Sequence, residues 1–231
     1  MGEAAATGGS DRSEPGYDLL VQQVIPGYTS LARLAVALLA ASPLAATPGA
    51  RVLVAGCGTG AELIEAQHQR PDWQLTAIDP SAAMVAAARG RLGGAAAIDW
   101  RTTTVEALPA GDPFDGAMAV LVLQALADDG SKLAFLTALA RQLRPGGQLV
   151  LVDLMEPERS PLQDQVRQAR LAFQAASGLA VDPAAPPSLT RGLHPIGPAR
   201  LTALVAAAGF GDPARIFQAL DVEGYLLQRR A

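Results

Sequence analysis

Residues 51–60 read Arg51-Val-Leu-Val-Ala-Gly-Cys-Gly-Thr-Gly60, and this stretch decides the fold class of the chain. An apolar run leads here into a turn with glycine at Gly56, Gly58 and Gly60, where side chains would block a ligand or demand an unfavourable φ. A second apolar run ends in Asp79, 19 residues past Gly60. At the tip of the second parallel strand, such a carboxylate can bind a ribose diol. The two features together predict a site for a nucleotide-sized ligand.

Length and composition indicate one globular domain with a modest insertion. The 231 residues are 50% hydrophobic and 17% charged, which argues against disorder. A net charge of −4 and a pI near 5.2, with Lys132 as the one lysine, argue against a nucleic-acid partner. The single cysteine, Cys57, excludes an internal disulfide and a cysteine-rich metal site, and we expect it to be a small packing residue. We predict no metal site.

The sequence favours a cytoplasmic protein without a membrane partner. The apolar run at residues 31–41 is too short for a membrane helix of about 20 residues, and Arg33 interrupts it. Glu3 and Asp11 precede any apolar stretch, so we expect no secretory signal. Residues 1–16 are small and polar, and we expect a flexible tail there.

From residue 51 onward, apolar strand-like runs alternate with helical segments. We predict strands at 51–55, 74–78, 99–103, 116–120, 148–154, 214–220 and 224–228, and helices at 17–24, 61–69, 82–92, 132–143, 162–176 and 199–208. A further helix is expected after Thr29 or Ser30, either of which could cap it. The alternation predicts a doubly wound, mostly parallel seven-stranded sheet. The last two strands are too close in sequence for a parallel crossover, so they form an antiparallel hairpin.

The glycine loop alone leaves two classes of enzyme open. Residues 56–61 also satisfy the dinucleotide fingerprint G-x-G-x-x-G/A, so an NAD-dependent oxidoreductase is an alternative. The downstream chain resembles the class I S-adenosylmethionine (SAM)-dependent methyltransferases, a Rossmann-like fold. The resembling pieces, in order, are residues 52–60, Ala77-Ile-Asp-Pro-Ser81, Val105-Glu-Ala-Leu-Pro109, Phe114-Asp-Gly116, Leu123-Gln-Ala-Leu126, Leu143-Arg-Pro-Gly-Gly147 and Ala208-Gly-Phe210. An antiparallel final strand is not expected of a nicotinamide-binding sheet.

The resemblance implies which residues bind SAM and its product, S-adenosylhomocysteine. Backbone groups of Gly56, Cys57 and Gly58 face the methionine moiety, and Gly60 completes the loop. Asp79 accepts hydrogen bonds from both ribose hydroxyls, which physical chemistry supports independently, since a carboxylate facing a diol forms two charge-assisted bonds. The other implied contacts are Pro80, Met84, Thr104 and Val105 at the adenine, and Val120, Leu121 and Gln124 at the methionine end or the acceptor.

Two positions depart from the family pattern. Family members usually carry Asp or Glu where this chain has Val54, and that acid helps to hold the ammonium group of the methionine moiety. Many carry Asp where this chain has Thr104. These departures put tight SAM binding in doubt and leave a non-catalytic SAM- or nucleoside-binding protein open as an alternative.

The N-terminal element Val24-Ile-Pro-Gly-Tyr28 is similar to that of carboxy-SAM synthase and related small-molecule methyltransferases. The resemblance implies that Tyr28 reaches the cofactor as part of a lid; the alternative is that Tyr28 only packs the N-terminal helices on the sheet. The synthase grips an extra carboxylate with an arginine, whereas this chain has none between Leu171 and Thr190, and Arg191 could serve only if the loop has shifted. The missing arginine weighs against carboxy-SAM as the natural ligand.

Methyl transfer from a sulfonium needs alignment more than covalent help, with a general base only where the acceptor must lose a proton. His194 is the better base candidate, because His68 is expected at the surface. We predict one domain over residues 17–231, in which helices at 17–42 and the insertion 155–198 form an acceptor lid. The predicted acceptor is a small, apolar or aromatic metabolite, and the insertion is also a candidate homodimer contact.

Overall fold

The fold follows the predicted alternation of strands and helices. The computed structural model describes residues 16–93, 97–157, 160–181 and 192–231. The helices are α1 (Tyr17–Val24), α2 (Tyr28–Ala40), α3 (Ala61–Gln69), α4 (Ala82–Leu92), α5 (Ser131–Gln142), α6 (Gln163–Ala176) and α7 (Pro198–Ala207). The strands are β1 (Arg51–Ala55), β2 (Gln74–Asp79), β3 (Asp99–Thr102), β4 (Phe114–Val120), β5 (Leu143–Leu154), β6 (Ala214–Ala219) and β7 (Val222–Gln228). Predicted and observed bounds agree closely for most elements.

The seven strands form one sheet in the order β3-β2-β1-β4-β5-β7-β6. Strands β1 to β5 pair in parallel, and β7 runs antiparallel to both β5 and β6. This confirms the predicted Rossmann-like methyltransferase sheet with its terminal hairpin. The strand order reverses between β1 and β4, and in such sheets ligands bind beyond the carboxyl ends of the strands at this point.

Alternation along β1 divides the core into two layers. Leu53 and Ala55 pack with α5 and α7 on one face, and Val52 and Val54 pack with α1, α2 and α3 on the other. Because the central strand β1 is covered on both faces, it reads as a continuous apolar run, whereas the polar edge strand β3 is mostly exposed. The N-terminal helices therefore close one face of the sheet instead of forming a separate unit.

Two boundaries differ from the predictions for identifiable reasons. Helix α2 begins at Tyr28, with Gly27 before it at a φ of +77° and no side-chain cap, so neither Thr29 nor Ser30 caps it. A glycine that adopts the left-handed conformation lets the helix start directly after the turn. Strand β5 begins at Leu143 instead of residue 148, because Leu143 already pairs with Phe114 before residues 144–147 shift the register.

Some predictions fall on parts of the chain outside the described residues. These are the tail up to residue 15, part of the insertion 155–198 and Arg191. Within the described chain, no single helix is long and apolar enough to cross a membrane; α1 and α2, bent by 93°, pass that test only when taken together.

Candidate functional site

A cavity of about 400 Å³ lies beyond the carboxyl ends of β1, β2 and β4. It lies where the strand order reverses. The predicted site residues in its wall are Tyr28, Gly56, Cys57, Gly58, Asp79, Pro80, Met84, Val120 and Leu121. The wall also contains Tyr17, Thr59, Ala61, Glu62, Ser81, Ala83, Val122, Ala125 and Leu126, which the sequence analysis did not select.

The glycines of the loop are required by close packing within the protein. A Cβ on Gly56, whose φ is +74°, would lie 2.4 Å from Cγ2 of Val122, so the loop and the segment after β4 touch at this point. A Cβ on Gly60, at a φ of +91°, would lie 3.1 Å from the Cβ of Ala88 in α4. The predicted need for an unfavourable φ is confirmed at both positions, and the atoms that a side chain would meet there belong to the protein itself.

Asp79 holds the glycine loop as well as facing the cavity. Its side chain is 8% exposed. One carboxylate oxygen accepts the backbone N–H of Gly58 at 3.0 Å, and the other accepts that of Ser81 at 2.8 Å. The Ser81 hydroxyl in turn accepts the N–H of Met84 and caps α4. Each carboxylate oxygen has a second lone pair, so the group can still accept bonds from a diol.

The opposite wall is a strained loop that a buried network supports. Leu121, directly after β4, has a φ of +58°, and its N–H donates to the carbonyl of Val152 at 2.7 Å. The carboxylate of Asp153 accepts the N–H groups of Leu123 at 2.7 Å and Gln124 at 2.9 Å. An unfavourable backbone conformation persists only where the surroundings enforce it, and it is concentrated at functional sites.

The ammonium group of Lys132 completes this network from α5. It is 1% exposed and donates to the carbonyl of Leu123 at 2.6 Å. Burial lowers the pKa of Lys132, while the nearby charges of Asp153 and Asp128 raise it. Burial raises the pKa of Asp153 to about 7, and its hydrogen bonds from backbone N–H groups oppose that shift. The one lysine of the chain is therefore a structural residue behind the cavity wall.

Helix α1 is joined to the glycine loop by polar contacts. The carboxylate of Asp18 accepts the hydroxyl of Thr59 at 2.5 Å and pairs with Arg91 of α4 at 2.5 Å. These contacts bring Tyr17 and Tyr28 over the cavity. Burial, followed by the nearby Glu62, raises the pKa of Tyr28, so its phenol is neutral.

Glu62 is the residue that sequence reasoning missed. It lies in the first turn of α3, is 6% exposed and contributes to the cavity wall. Burial raises the pKa of Glu62 to about 7, and a hydrogen bond from its own backbone N–H to the carboxylate opposes this rise. One feature of the sequence points to Glu62, because an acid so soon after a glycine loop lies near a helix N-terminus, where a negative charge is stabilised. That signal does not distinguish an exposed carboxylate from a buried one.

Five predicted site residues lie outside the cavity wall: Gly60, Thr104, Val105, Gln124 and His194. Val105 is buried in the core, and Thr104 is exposed with its hydroxyl near the N–H of Ala107. The side-chain oxygen of Gln124 accepts the N–H of Leu154 at 3.0 Å, so this amide joins two loops. The imidazole of His194 is exposed, while its backbone N–H donates to the carbonyl of Gln124 at 2.7 Å.

Two further sequence predictions concern the side chain of Val54 and the presence of a metal site. The Val54 side chain is 2% exposed and packs in the core beneath the N-terminal helices. In the described parts of the chain, no three His, Cys, Asp or Glu side chains form a group that could hold a metal ion.

Comparison with known proteins gives consistent matches. Residues 52–147 match the family model described as a methyltransferase domain. A ubiquinone biosynthesis O-methyltransferase of Bradyrhizobium sp. (strain ORS 278) is 37% identical over 46% of this chain and 40% of its own length. A carboxy-S-adenosyl-L-methionine synthase of Aeromonas salmonicida (strain A449) is 29% identical over 69% of this chain and 64% of its own. The chain thus matches less than two thirds of the length of these relatives.

A solved structure supports the fold. Human N-acetylserotonin methyltransferase in complex with SAM superposes with a TM-score of 0.63 at 19% identity, over 93% of this chain and 55% of the human chain. At this level of identity the comparison shows a shared fold.

Proposed function

We propose that the chain is a class I SAM-dependent methyltransferase that transfers the SAM methyl group to a small, apolar or aromatic metabolite, as its methyltransferase-domain match and its relatives support. The observation that carries this proposal is the cavity at the reversal of strand order, with Asp79 in its wall. The wall includes Val120, Leu121, Val122 and Leu126, which offer an apolar surface to an acceptor. S-adenosylhomocysteine is the expected product.

The residues of the cavity would act mainly by binding and orienting. Asp79 would accept the ribose hydroxyls, and Pro80, Ala83 and Met84 would border the adenine in an apolar slot. When bound, SAM would supply an activated methyl group for an in-line displacement from its sulfur. Tyr28 and the strained Leu121 would confine the methionine end and exclude water. Such alignment can supply most of the rate enhancement of a displacement.

The role of His194 as a general base stays a prediction. His194 is exposed and lies outside the cavity wall, so it would act only on an acceptor that extends beyond that wall. For a phenol, alcohol or ammonium acceptor, His194→Ala would then lower turnover about 10²-fold at neutral pH and leave the affinity for SAM unchanged. Equal turnover of wild type and variant from pH 6 to 9 would assign His194 to the structure of the lid.

A carboxy-SAM synthase is a second candidate because the Aeromonas relative matches 69% of the chain. That function requires a cationic group to hold an extra carboxylate. Of the described residues that line the cavity, none is basic. The proposal therefore favours methyl transfer over binding of carboxy-SAM.

Two measurements test the proposed function. Mass spectrometry of the ligand retained by the purified protein distinguishes SAM or S-adenosylhomocysteine from carboxy-SAM or a nicotinamide cofactor. A metabolite screen for release of S-adenosylhomocysteine then distinguishes an enzyme from a protein that only binds the cofactor. Retained SAM with no turnover on any small molecule would favour the non-catalytic alternative. Gel filtration with light scattering tests whether the candidate homodimer contact of the insertion forms in solution.

A further inference from the structure

The described wall of the cavity carries two carboxylates with different surroundings. Asp79 accepts two backbone N–H groups, which stabilise its negative charge. Glu62 forms no ion pair with a basic side chain across residues 16–93, 97–157, 160–181 and 192–231, because the nearby Arg91 pairs with Asp18. A buried carboxylate without a cationic partner is costly unless a cation arrives.

Glu62 lines the same cavity as Cys57 and Tyr28, the residues that the resemblance implies at the methionine end of SAM. Both Asp79 and Glu62 influence the thiol of Cys57, whose pKa rises to about 12 through burial first and through these two charges next. Cys57 therefore has the proposed ribose partner and Glu62 as near neighbours. Glu62 is also close to Tyr28, which covers the cavity from α2.

SAM carries a ribose diol and, beyond the sulfur, an α-ammonium group. A diol needs hydrogen-bond acceptors, which Asp79 offers, whereas an ammonium group needs a negative charge. Val54, at the strand position where an acid is usual in the family, is buried in the core and carries no charge. We propose that Glu62 binds the α-ammonium group of the cofactor and so supplies from α3 the charge that β1 lacks. This inference rests on the proposed function, since it takes SAM as the ligand.

The inference makes cofactor affinity depend on pH. The charged and titratable groups that interact with Glu62 are Asp18 of α1, Tyr28 of α2, Cys57 of the loop and Arg91 of α4. With its pKa near 7, Glu62 is largely protonated below neutrality, and only the ionised form attracts a cation. Affinity for an ammonium-bearing ligand therefore increases as pH rises through about 7.

The test is calorimetric titration at pH 8 with three ligands. S-adenosylhomocysteine has the ammonium and the carboxylate, its decarboxylated analogue keeps only the ammonium, and 5′-methylthioadenosine has neither. Glu62→Gln should weaken the first two about 10- to 100-fold and leave 5′-methylthioadenosine unchanged. The matched control is Glu65→Gln, on the same helix but outside the cavity wall, which should bind all three as wild type does.

The outcomes separate this inference from the proposed function. If Glu62→Gln binds S-adenosylhomocysteine as tightly as wild type, or weakens all three ligands equally, the assignment of Glu62 is overturned while SAM binding stands. If wild-type protein binds none of the three, the proposed function falls and the inference with it. The wild-type pH dependence should disappear in Glu62→Gln, and its persistence would also overturn the assignment.

Discussion

At the scale of single residues, Asp79 combines a structural and a proposed binding role. Its two carboxylate oxygens hold Gly58 and Ser81, so they shape the loop that the ligand meets. Asp79→Asn would lose one of these bonds and the negative charge. We expect S-adenosylhomocysteine to bind about 10²-fold more weakly and the free energy of unfolding to fall by about 1–3 kcal/mol. Calorimetry and urea denaturation measure the two effects.

The control for Asp79 is Asp99→Asn on the neighbouring strand, where the carboxylate is exposed and pairs with Arg101. This variant should match wild type in ligand affinity. Normal binding of SAM by Asp79→Asn would remove the basis for the cofactor assignment.

The hydroxyl of Tyr28 is expected to act on the ligand more than on the fold. Tyr28 is half-buried at the start of α2 and lines the cavity. Tyr28→Phe should therefore weaken SAM binding or turnover while leaving the melting temperature nearly unchanged. The control is Tyr225→Phe, which removes a buried hydroxyl bonded to Glu223 outside the cavity wall. It should cost about 1 kcal/mol of stability and leave affinity unchanged. If Tyr28→Phe shows that same pattern, Tyr28 only packs.

At the scale of elements, the segment after β4 depends on α5 for its conformation. Lys132→Met removes one of the two donors to the carbonyl of Leu123, which also accepts the N–H of Leu126, and removes a positive charge near Asp153. We expect the free energy of unfolding to fall by about 2–4 kcal/mol, because the polar groups left behind are buried. Urea denaturation measures the loss.

The affinity for the ligand should decrease together with the stability of the Lys132→Met variant. Residues 121, 122, 125 and 126 line the cavity, so a loosened segment should also lower affinity for S-adenosylhomocysteine. Arg141→Met, an exposed change in the last turn of the same helix, is the control. Equal stability of the two variants would show that Lys132 does not support the segment.

At the scale of the whole molecule, two buried carboxyls should make stability depend on pH. Burial raises the pKa of Glu62 from 4.5 and that of Asp153 from 3.8, both to about 7. Between these values the folded state binds more protons than the unfolded state, so the free energy of unfolding falls as pH rises. The stabilising contribution is fully present below about pH 4 and is lost as pH rises through about 7.

Urea denaturation of the ligand-free protein at pH 5 and pH 8 tests this dependence, with an expected difference of a few kcal/mol at about 1.4 kcal/mol per pKa unit. Asp72, Asp128 and Asp129 have lowered pKa values and act mainly below this range, where they lose their stabilising charge. Glu62→Gln should flatten the slope by its own share. Stability that increases from pH 5 to pH 8 would contradict the prediction.

The sequence by itself determined the sheet, the loop and one wall of the cavity. Strand periodicity, the glycines of residues 56–60 and the carboxylate of Asp79 are local patterns, and each describes neighbours along the chain. The family resemblance added the cofactor, and the short connection between the last two strands predicted that β7 is antiparallel to β6. These features were predictable because parallel strands place their carboxyl ends together at one edge of the sheet.

Only the tertiary structure decided which side chains face the cavity. Contacts between distant parts of the chain, such as Asp18 with Thr59 and Asp153 with Leu123, leave no local pattern in the sequence. Nothing in the sequence distinguishes Glu62 from an exposed helical acid, whereas in the folded protein it is buried next to α1 and α2. The sequence predicts Gln124 as a ligand contact, whereas in the structure its side-chain oxygen accepts the backbone N–H of Leu154. The physical reason is that burial and hydrogen-bond partners depend on how the layers pack, which periodicity along one element does not encode.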